Sequence, residues 1–309
     1  MATFRIENEL LTLIKENPFK LEREIQNLVE KNLTTLMGLE FIRTEFSINS
    51  FRIDSLAFDS EKKSFVIIEY KRDRNFSVID QGYAYLSLML NNKADFILEY
   101  NESKAESLKR SDVDWSQSKV VFISPSFTVF QKEAINFKDL PIELWEIKRF
   151  YNNTLFFDQI ISKSSGESIK ALSNDETITT VSNEIKVYSE QDHLEKVKEE
   201  SILCIYAQIK EYLLSLDEDI SICPKKQTIG FKIGNKVFCD IVTQNKGIRL
   251  FLNAKKGGLK DPEKITRDVS EVGHWGNGAY EIHFPLNNDV DIYYVFDLLR
   301  QTINKNKDE

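Results

Sequence analysis

The sequence predicts an α/β protein, with a mixed sheet flanked by helices in its first half and a second, smaller α+β domain after it. Strand-like and helix-like segments alternate between residues 20 and 160, which is the pattern of a sheet covered by helices. Residues 162–192 are rich in Ser, Thr, Lys, Glu and Asn and hold no aromatic side chain before Tyr188, as is typical of a linker. A new apolar stripe begins after His193. We therefore assign residues 1–161 to a first domain, 162–192 to a linker and 193–309 to an accessory domain.

The first domain opens with a short apolar segment, Leu10–Ile14, and a helix that begins near Leu21. Apolar residues recur in that helix at the spacing of a buried stripe. Three strands follow at residues 41–48, 51–58 and 64–71, separated by polar turns. The next helix begins at Ser77, a typical N-cap residue three positions before Asp80, and ends near residue 90. The remaining predicted elements are a strand at 95–100, a helix at 102–109, a strand at 119–124, a helix at 127–137 and a hairpin at 142–150 and 154–160.

The accessory domain is predicted to begin and end with helices around a set of strands. Apolar spacing indicates a first helix at 193–216 and a closing helix at 291–303. The predicted strands are a hairpin at 227–233 and 236–243, then 248–254 and 280–284.

Composition limits the classes of protein that this chain can belong to. Its 309 residues are enough for two ordinary hydrophobic cores, and its formal net charge of −8 argues against non-specific coating of nucleic acid. The three cysteines lack metal-ligand spacing and indicate a reducing compartment. No apolar stretch reaches the roughly 18 residues of a membrane span, and acidic and basic residues interrupt the amino-terminal segment where a signal peptide would be apolar. We expect a cytoplasmic protein with no membrane partner.

One stretch combines burial and charge in a way that points to chemistry. The four apolar residues Phe65–Ile68 predict a buried strand, and Glu69 and Lys71 follow at its end. Side chains alternate across a strand, so this acid and this lysine point to the same side. Burying charged groups is costly unless they are paired or used. Asp54 lies one hairpin upstream. Taken alone, Glu69 and Lys71 also fit a salt bridge at a strand end.

Asp54, Glu69 and Lys71 are predicted to form a metal-dependent phosphodiesterase site. The two carboxylates and the backbone carbonyl of Tyr70 are the hard oxygen ligands that Mg²⁺ or Mn²⁺ prefers. Lys71 would orient the attacking water and offset charge on the scissile phosphate. Glu24, on the first helix, is a candidate for holding a second ion or a metal-bound water, with a solvated helix acid as the alternative.

The candidates for contact with nucleic acid are polar or basic side chains near this site or in a basic loop of the accessory domain. They are Gln81, Tyr85, Arg72, Arg74, Lys255 and Lys256. Gln81 and Tyr85 lie four apart on one helix face, and the intervening Gly82 leaves room for that helix to approach a neighbour closely. For the two lysines, a solvated loop balanced by acids is the alternative.

The order of these elements resembles the PD-(D/E)XK nuclease superfamily, in particular its RecB-like and NucS-like branches. The residues that carry the resemblance are Glu24, Asp54 in Arg-Ile-Asp, Glu69-Tyr-Lys71 and Gln81-Gly-Tyr-Ala-Tyr85. The resemblance implies a restriction-endonuclease-like core and Mg²⁺- or Mn²⁺-dependent cleavage of DNA, in restriction, defence or repair. Arg52 and Ile53 stand where the name of the superfamily places a proline.

The accessory domain resembles an uncharacterised bacterial domain that is often fused to nuclease-like modules. This resemblance rests on the segment 273–278, the Tyr280-Glu-Ile that follows and the terminal helix. The order of helix, hairpin with Asp240, and strand with Asn253 and Lys255 echoes the first domain. We hypothesise a diverged nuclease-like fold without catalysis, with a chance likeness as the alternative.

We therefore expect a deoxyribonuclease whose accessory domain binds nucleic acid, a partner or a second copy of the chain, so that a homodimer is one expected arrangement. The alternative from another class is a non-catalytic nucleic-acid-binding or protein-interaction module that retains the nuclease fold. The complete set of two acids and a lysine favours the enzyme, because a binding module has no need of it.

Overall fold

The computed structural model describes residues 2–72, 76–161, 167–169, 175–273, 276–285 and 290–308. The chain divides into two compact units, residues 1–187 and 188–309. In the described residues, the first unit holds a six-stranded mixed sheet flanked by helices and the second a six-stranded antiparallel sheet with its own helices. The predicted fold class, a mixed sheet between helices plus a smaller α+β domain, is confirmed.

The first unit begins with an antiparallel hairpin of β1 (Thr3–Glu7) and β2 (Leu10–Ile14). Residues directly opposite each other in such a pair project from the same face. One face of the hairpin is apolar and exposed, and it consists of Phe4, Ile6, Leu11 and Leu13. The hairpin therefore presents an uncovered apolar surface.

The main sheet of the first unit follows the chain order. Its strands are β3 (Glu40–Ile48), β4 (Phe51–Asp59), β5 (Ser64–Tyr70), β6 (Lys119–Ser124), β7 (Ile142–Arg149) and β8 (Leu155–Gln159). The first three form the antiparallel meander that the sequence predicts. From β5 to β7 the strands are parallel, so their carboxyl ends meet at one edge of the sheet, and β8 returns antiparallel.

Helices cover both faces of this sheet. They are α1 (Glu22–Lys31), α2 (Leu33–Met37), α3 (Val78–Asn91), α4 (Lys93–Lys104) and α5 (Val129–Ala134). The first two pack on one face, where Ile25 and Val29 join Ile68 in one core. The other three belong to the opposite layer, which buries Ile67 and Phe122. Every residue of β5 is buried, because alternate side chains enter different layers.

Two features fix the position of α3. The Ser77 hydroxyl accepts a hydrogen bond from the Asp80 backbone N–H at 3.2 Å, which confirms the predicted N-cap. Gly82 lies so close to the sheet that a Cβ at this position would overlap the Ile142 side chain. The predicted close approach of this helix is therefore confirmed.

The strand predicted at residues 95–100 is wrong, because α4 spans that segment. Phe96, Leu98 and Tyr100 alternate as they would in a strand. However, the buried pair is Phe96 and Tyr100, one helical turn apart, while Leu98 is 57% exposed. The helix ends before Ala105, whose φ of 54° is left-handed, so the helix predicted at 102–109 is also wrong.

The segment expected to be a linker contributes to the first unit where the structure describes it. Residues Glu176–Glu184 form α6, capped by Asp175. Its Ile178 and Val181 are buried in the same core as the helices that cover the sheet. Apolar residues at helical spacing within this polar segment explain the attachment.

The second unit pairs two long helices with an antiparallel sheet. Its helices are α7 (Glu190–Leu194), α8 (Glu200–Leu216) and α9 (Ile292–Asp308), so the single predicted helix at 193–216 is divided in two. Its strands are β9 (Ile220–Pro224), β10 (Ile229–Ile233), β11 (Lys236–Gln244), β12 (Gly247–Leu252), β13 (Arg267–Asp268) and β14 (Tyr280–Pro285). The first and fifth of these were not predicted. The order in the sheet is β13-β14-β12-β11-β10-β9.

The two faces of this second sheet differ. One face packs against α8 and α9 in a large core that includes Phe231 and Leu250. The other face carries a small apolar cluster of Val242, Phe251 and Val269. Among the described residues, none of the helices combines the length and apolarity that crossing a membrane requires.

Candidate active site

The site lies where β4 and β5 stop pairing through their backbones. The last ladder pair toward this end joins Ser55 and Ile68. Beyond that pair, side chains replace backbone partners. The Glu69 Oε1 atom accepts from the Asp54 backbone N–H at 3.2 Å, and the Asp54 Oδ2 atom accepts from the Tyr70 backbone N–H at 3.0 Å. Each carboxylate therefore crosses to the neighbouring strand, and the two acids face one another.

Lys71 and Gln81 hold the second oxygen of Glu69. The Lys71 Nζ atom lies 3.3 Å from Glu69 Oε2, and the Gln81 side-chain amide donates to the same oxygen at 3.5 Å. Gln81 also lies 3.4 Å from the Tyr85 hydroxyl, which in turn reaches the Arg52 carbonyl oxygen at 3.4 Å. Of the residues predicted for the site, the structure thus brings together Asp54, Glu69, Lys71, Gln81 and Tyr85.

Burial and mutual repulsion perturb the two carboxyls. Glu69 is only 2% exposed, and desolvation, followed by the charge of Asp54, raises its pKa from 4.5 to about 7 against the opposing effect of Lys71. Desolvation likewise raises the pKa of Asp54, opposed by the Tyr70 N–H and by Lys71. Two acids held close in a poorly solvated place repel each other when both are ionised, and a cation bound by both would offset that repulsion.

The donor set fits a hard divalent ion. Within the described residues, no group of three or more His, Cys, Asp and Glu side chains is arranged to hold a metal. However, Mg²⁺ commonly binds through one or two carboxylates and completes its shell with water or substrate oxygens. The Asp54 and Glu69 pair meets that requirement and not the closed, four-ligand requirement of structural zinc. The Tyr70 hydroxyl bonds with Ser55 inside the core, so only the backbone of Tyr70 is available as a ligand.

The face of α1 that approaches the site carries Glu22 and Gln26. The Gln26 amide donates to the Asp54 carbonyl oxygen at 2.8 Å, and Glu22 Oε1 accepts from the Arg72 backbone N–H at 2.9 Å. The charge of Glu22 also contributes to raising the pKa of Asp54, after desolvation. Sequence reasoning missed both residues, although their spacing of four places them on one helix face.

Glu24 is not placed with the carboxylate pair. It lies about 200° around α1 from Glu22, because successive residues of an α-helix are rotated by about 100°. Its Oε2 atom is 3.1 Å from the guanidinium of Arg149, which stacks on the Phe19 ring. The structure gives Glu24 an ion-pairing role at the end of β7.

The basic residues after β5 are only partly described. The Arg72 guanidinium donates to the Lys20 carbonyl oxygen at 2.8 Å, and Arg74 lies outside the described residues. The aromatic ring of Phe76 lies 5.9 Å from the Lys71 amine, a contact that the sequence did not suggest. The Phe76 carbonyl is held by Gln131 of α5 at 3.0 Å.

In the second unit, Asp240 and Asn253, which the sequence compares with Asp54 and Glu69, have different surroundings from those two acids. Asp240 is fully buried and pairs with Lys225 at 2.8 Å, with a further bond from Thr228 at 2.7 Å. Asn253 donates to the Val237 carbonyl at 2.6 Å. The two sheets share the order of helix, hairpin and strand but differ in direction, because the second is antiparallel throughout.

The two lysines predicted to bind phosphate lie in the loop after β12. Lys255 is exposed, and the Lys256 amine is 2.7 Å from the Asp268 carboxylate. His274 and Trp275, which belong to the segment of resemblance, lie outside the described residues.

Comparison with solved structures finds repair endonucleases at low similarity. The chain is similar to a repair endonuclease from Pyrococcus abyssi, with 20% identity over 39% of this chain and 45% of that one, at a TM-score of 0.22. It is also similar to EndoMS in its apo form, with 17% identity over 42% of this chain and 58% of that one, at a TM-score of 0.25. A complex of EndoMS with double-stranded DNA gives 16% identity over 47% and 65% of the two chains, at a TM-score of 0.22. In each case the match spans less than two thirds of the solved chain.

Sequence comparisons give a family for the whole chain. Residues 190–301 match the model described as a domain of unknown function, DUF5655. An uncharacterised protein of Haemophilus influenzae is 48% identical over 304 residues, which cover 98% of this chain and 99% of that protein. The chain therefore belongs to the same family as the Haemophilus influenzae protein across both of its units.

Proposed function

We propose that the first unit is a Mg²⁺- or Mn²⁺-dependent nuclease that hydrolyses phosphodiester bonds of DNA. One observation carries the proposal: beyond the last ladder pair, the carboxylates of Asp54 and Glu69 each accept a backbone N–H of the other strand and lie close enough to interact, and the Lys71 amine contacts the Glu69 carboxylate. A salt bridge alone would need one acid and one lysine. The second acid adds repulsion and desolvation cost, which a cation binding between the two acids would relieve.

The residues of the proposed site have three roles: binding the ion, stabilising charge on the phosphate, and positioning Glu69. Asp54, Glu69 and the Tyr70 carbonyl would hold the ion, which when bound would polarise the scissile phosphate. The Lys71 ammonium, anchored on Glu69 and over Phe76, would offset negative charge that develops on the phosphate and orient a water molecule. Gln81 fixes the carboxylate plane of Glu69, and Tyr85 fixes Gln81. These two are positioning residues.

DNA is the substrate that the superfamily resemblance implies, and restriction, defence and repair stay equally open as settings. The competing proposal is a non-catalytic module that binds nucleic acid or protein. What favours catalysis is the burial of Glu69 with a raised pKa beside a second acid, an arrangement that costs stability and contributes nothing to a binding surface.

The test is cleavage of supercoiled plasmid and of single-stranded oligonucleotides by the full chain with Mg²⁺ or Mn²⁺. The variants Asp54→Asn, Glu69→Gln and Lys71→Met keep the shape of each side chain, and we expect each to lose at least about 100-fold in rate. Glu24→Gln removes a carboxylate from the same unit away from the pair and is expected to cleave like the wild type. If the wild type cleaves neither substrate with either ion, or if all five proteins cleave equally, the enzyme is excluded.

A further inference from the structure

The second unit has a cavity on the sheet face that α8 and α9 leave uncovered. It has a volume of about 530 Å³, and the residues that matter to its chemistry are Gln244, Arg249, Phe251, Arg267, Val269 and Glu281. These side chains come from β11, β12, β14 and the segment that contains β13. Ligand-binding cavities commonly measure about 300–1,000 Å³, so this one is of a suitable size for a small organic molecule.

Two arginines converge on one buried acid in this cavity. The Arg249 Nη1 atom lies 2.8 Å from Glu281 Oε1, and the Arg267 Nη1 atom lies 3.4 Å from Glu281 Oε2. The Glu281 side chain is only 5% exposed, while those of Arg249 and Arg267 are 40% and 62% exposed. Glu281 therefore holds both guanidinium groups in place from beneath, and the three residues together carry one net positive charge.

The arginines keep donors that Glu281 does not use. A guanidinium has five N–H donors, and each arginine gives one nitrogen to Glu281. The Nε atom of Arg249 is buried and has no hydrogen-bond partner within the part of the chain that the structure describes. Because the two arginine side chains are 40% and 62% exposed, guanidinium N–H donors that Glu281 does not use are accessible to an acceptor that enters the cavity.

We propose that this cavity binds a phosphate group carried by an organic molecule of nucleotide size. Paired guanidinium groups match the several oxygens of a phosphate through parallel N–H donors. The Gln244 amide adds a polar group to the wall, and Phe251 and Val269 provide an apolar side for the rest of the ligand. The volume exceeds what a bare phosphate fills. The phosphate-bearing molecule is either a free nucleotide or the phosphorylated end of a nucleic acid strand.

This assignment is independent of the nuclease proposed for the first unit. It also differs from the lysine loop expected from the sequence, in which the Lys256 amine contacts Asp268 at 2.7 Å. The arginines could not be singled out from sequence, because Arg249, Arg267 and Glu281 are far apart along the chain and meet only through the pairing of β12, β13 and β14.

The experiment is titration calorimetry on the full chain in EDTA, so that divalent ions at the first unit do not contribute. The probes are inorganic phosphate, AMP, and one short oligonucleotide with either a 5′-phosphate or a 5′-hydroxyl end. Arg249→Lys and Arg267→Lys keep the charge and an ion pair to Glu281 but remove the forked donors. We expect each to weaken phosphate-dependent binding at least tenfold with an unchanged melting temperature.

The matched control is Arg300→Lys, because Arg300 is 61% exposed and pairs with Asp297 at 2.8 Å elsewhere in the same unit. It should bind like the wild type. Preference for AMP over both oligonucleotides would identify a free nucleotide, and preference for the 5′-phosphate over the 5′-hydroxyl end would identify a strand end. The proposal is overturned if the wild type binds none of the four probes, or if both arginine variants bind them as the wild type does.

Discussion

At the residue scale, the carboxylate pair makes the free energy of unfolding fall as the pH rises, which is the opposite of the usual effect of a carboxylate. The pKa of Glu69 rises from 4.5 to about 7 on folding, so the folded state binds this proton more tightly than the unfolded chain does. The stabilisation is complete below pH 4.5 and is lost as the pH rises to about 7. It amounts to about 3 kcal/mol at most. Metal-free protein should therefore lose free energy of unfolding between pH 5 and 7 in urea titrations.

Glu69→Gln provides the companion measurement. A neutral amide of the same shape cannot ionise, so this variant should lose most of that pH dependence and should exceed the wild type in stability at pH 8. Mg²⁺ at pH 8 should raise the melting temperature of the wild type and leave that of Glu69→Gln unchanged. Identical pH profiles for the two proteins would contradict the coupling of the acids.

Substitutions of Glu22 and Glu24 test whether the face of α1 that carries Glu22 affects metal binding at the carboxylate pair. Glu22 contributes negative charge at Asp54 and holds the Arg72 N–H, whereas Glu24 pairs with Arg149. Removing a nearby negative charge weakens attraction for a cation, so Glu22→Gln should raise the Mg²⁺ concentration for half-maximal cleavage a few-fold. Glu24→Gln should not. If Glu24→Gln raised that Mg²⁺ concentration more than Glu22→Gln does, Glu24 and not Glu22 would be the helix acid that acts on the metal.

The central residues of the candidate site were predictable from the sequence, whereas the residues around them were not. Asp54, Glu69 and Lys71 follow from strand alternation and one hairpin, which are local. The pairing of Glu24 with Arg149 could not be foreseen, because a polar helix residue can border an apolar stripe on either side and the rotation of α1 depends on packing against Ile68 and Ile123. Phe76 joins the site through its contact with Gln131, which is 55 residues away.

At the scale of elements, the contact between α3 and β7 supports a double-mutant test. A Cβ on residue 82 would overlap the Cδ1 atom of Ile142, and valine at 142 lacks that atom. Gly82→Ala should therefore destabilise the protein by about 1–3 kcal/mol, despite the better helix propensity of alanine. In an Ile142→Val background, Gly82→Ala should lower the free energy of unfolding by less, or should raise it. Chemical denaturation measures both, and simple additivity would contradict the close contact.

The exposed hairpin of β1 and β2 is where we expect two copies of the chain to meet. A two-stranded hairpin is marginal alone, and the apolar face of Phe4, Ile6, Leu11 and Leu13 is uncovered in the described structure. We expect the same face of a second copy to cover it, because a two-fold axis brings identical surfaces of two copies together. Light scattering should find a homodimer, and Ile6→Ser with Leu11→Ser, which lie opposite each other, should give a monomer. Replacing the exposed Leu98 by serine is the control.

Elements were predictable where the pattern was long or the turn distinctive. The meander β3–β5, the cap of α3 and the hairpin of β10 and β11 all follow from local signals. The strand predicted at 95–100 was wrong because short apolar alternation does not distinguish a strand from a helix with one exposed apolar residue. The helical structure of α4 is favoured by packing, because Phe96 and Tyr100 lie on one helix face and contact Phe65 and Phe58 of the sheet.

At the scale of the whole molecule, the two units have separate hydrophobic cores, so each should respond to its own ligand. Calorimetry should resolve two unfolding transitions. Mg²⁺ should raise the transition of the first unit, and AMP should raise that of the second, because a ligand stabilises only what it binds. Glu69→Gln should abolish the first shift alone and Arg249→Lys the second alone. A single transition that both ligands move together would show that the units unfold as one.

The parallel pairing of β5 with β6 has a consequence for the order in which the first unit folds. Asp54 and Glu69 are 15 residues apart and meet through a hairpin, which forms quickly because the loop to be closed is short. The Lys71 N–H bonds to the Ile123 carbonyl, and so depends on a crossover that contains α3 and α4. We therefore expect the two acids to meet before the backbone of Lys71, at the end of the same strand, is fixed against β6. Refolding should pass through a stage in which like charges are already adjacent, and it should proceed faster at pH 5 than at pH 8.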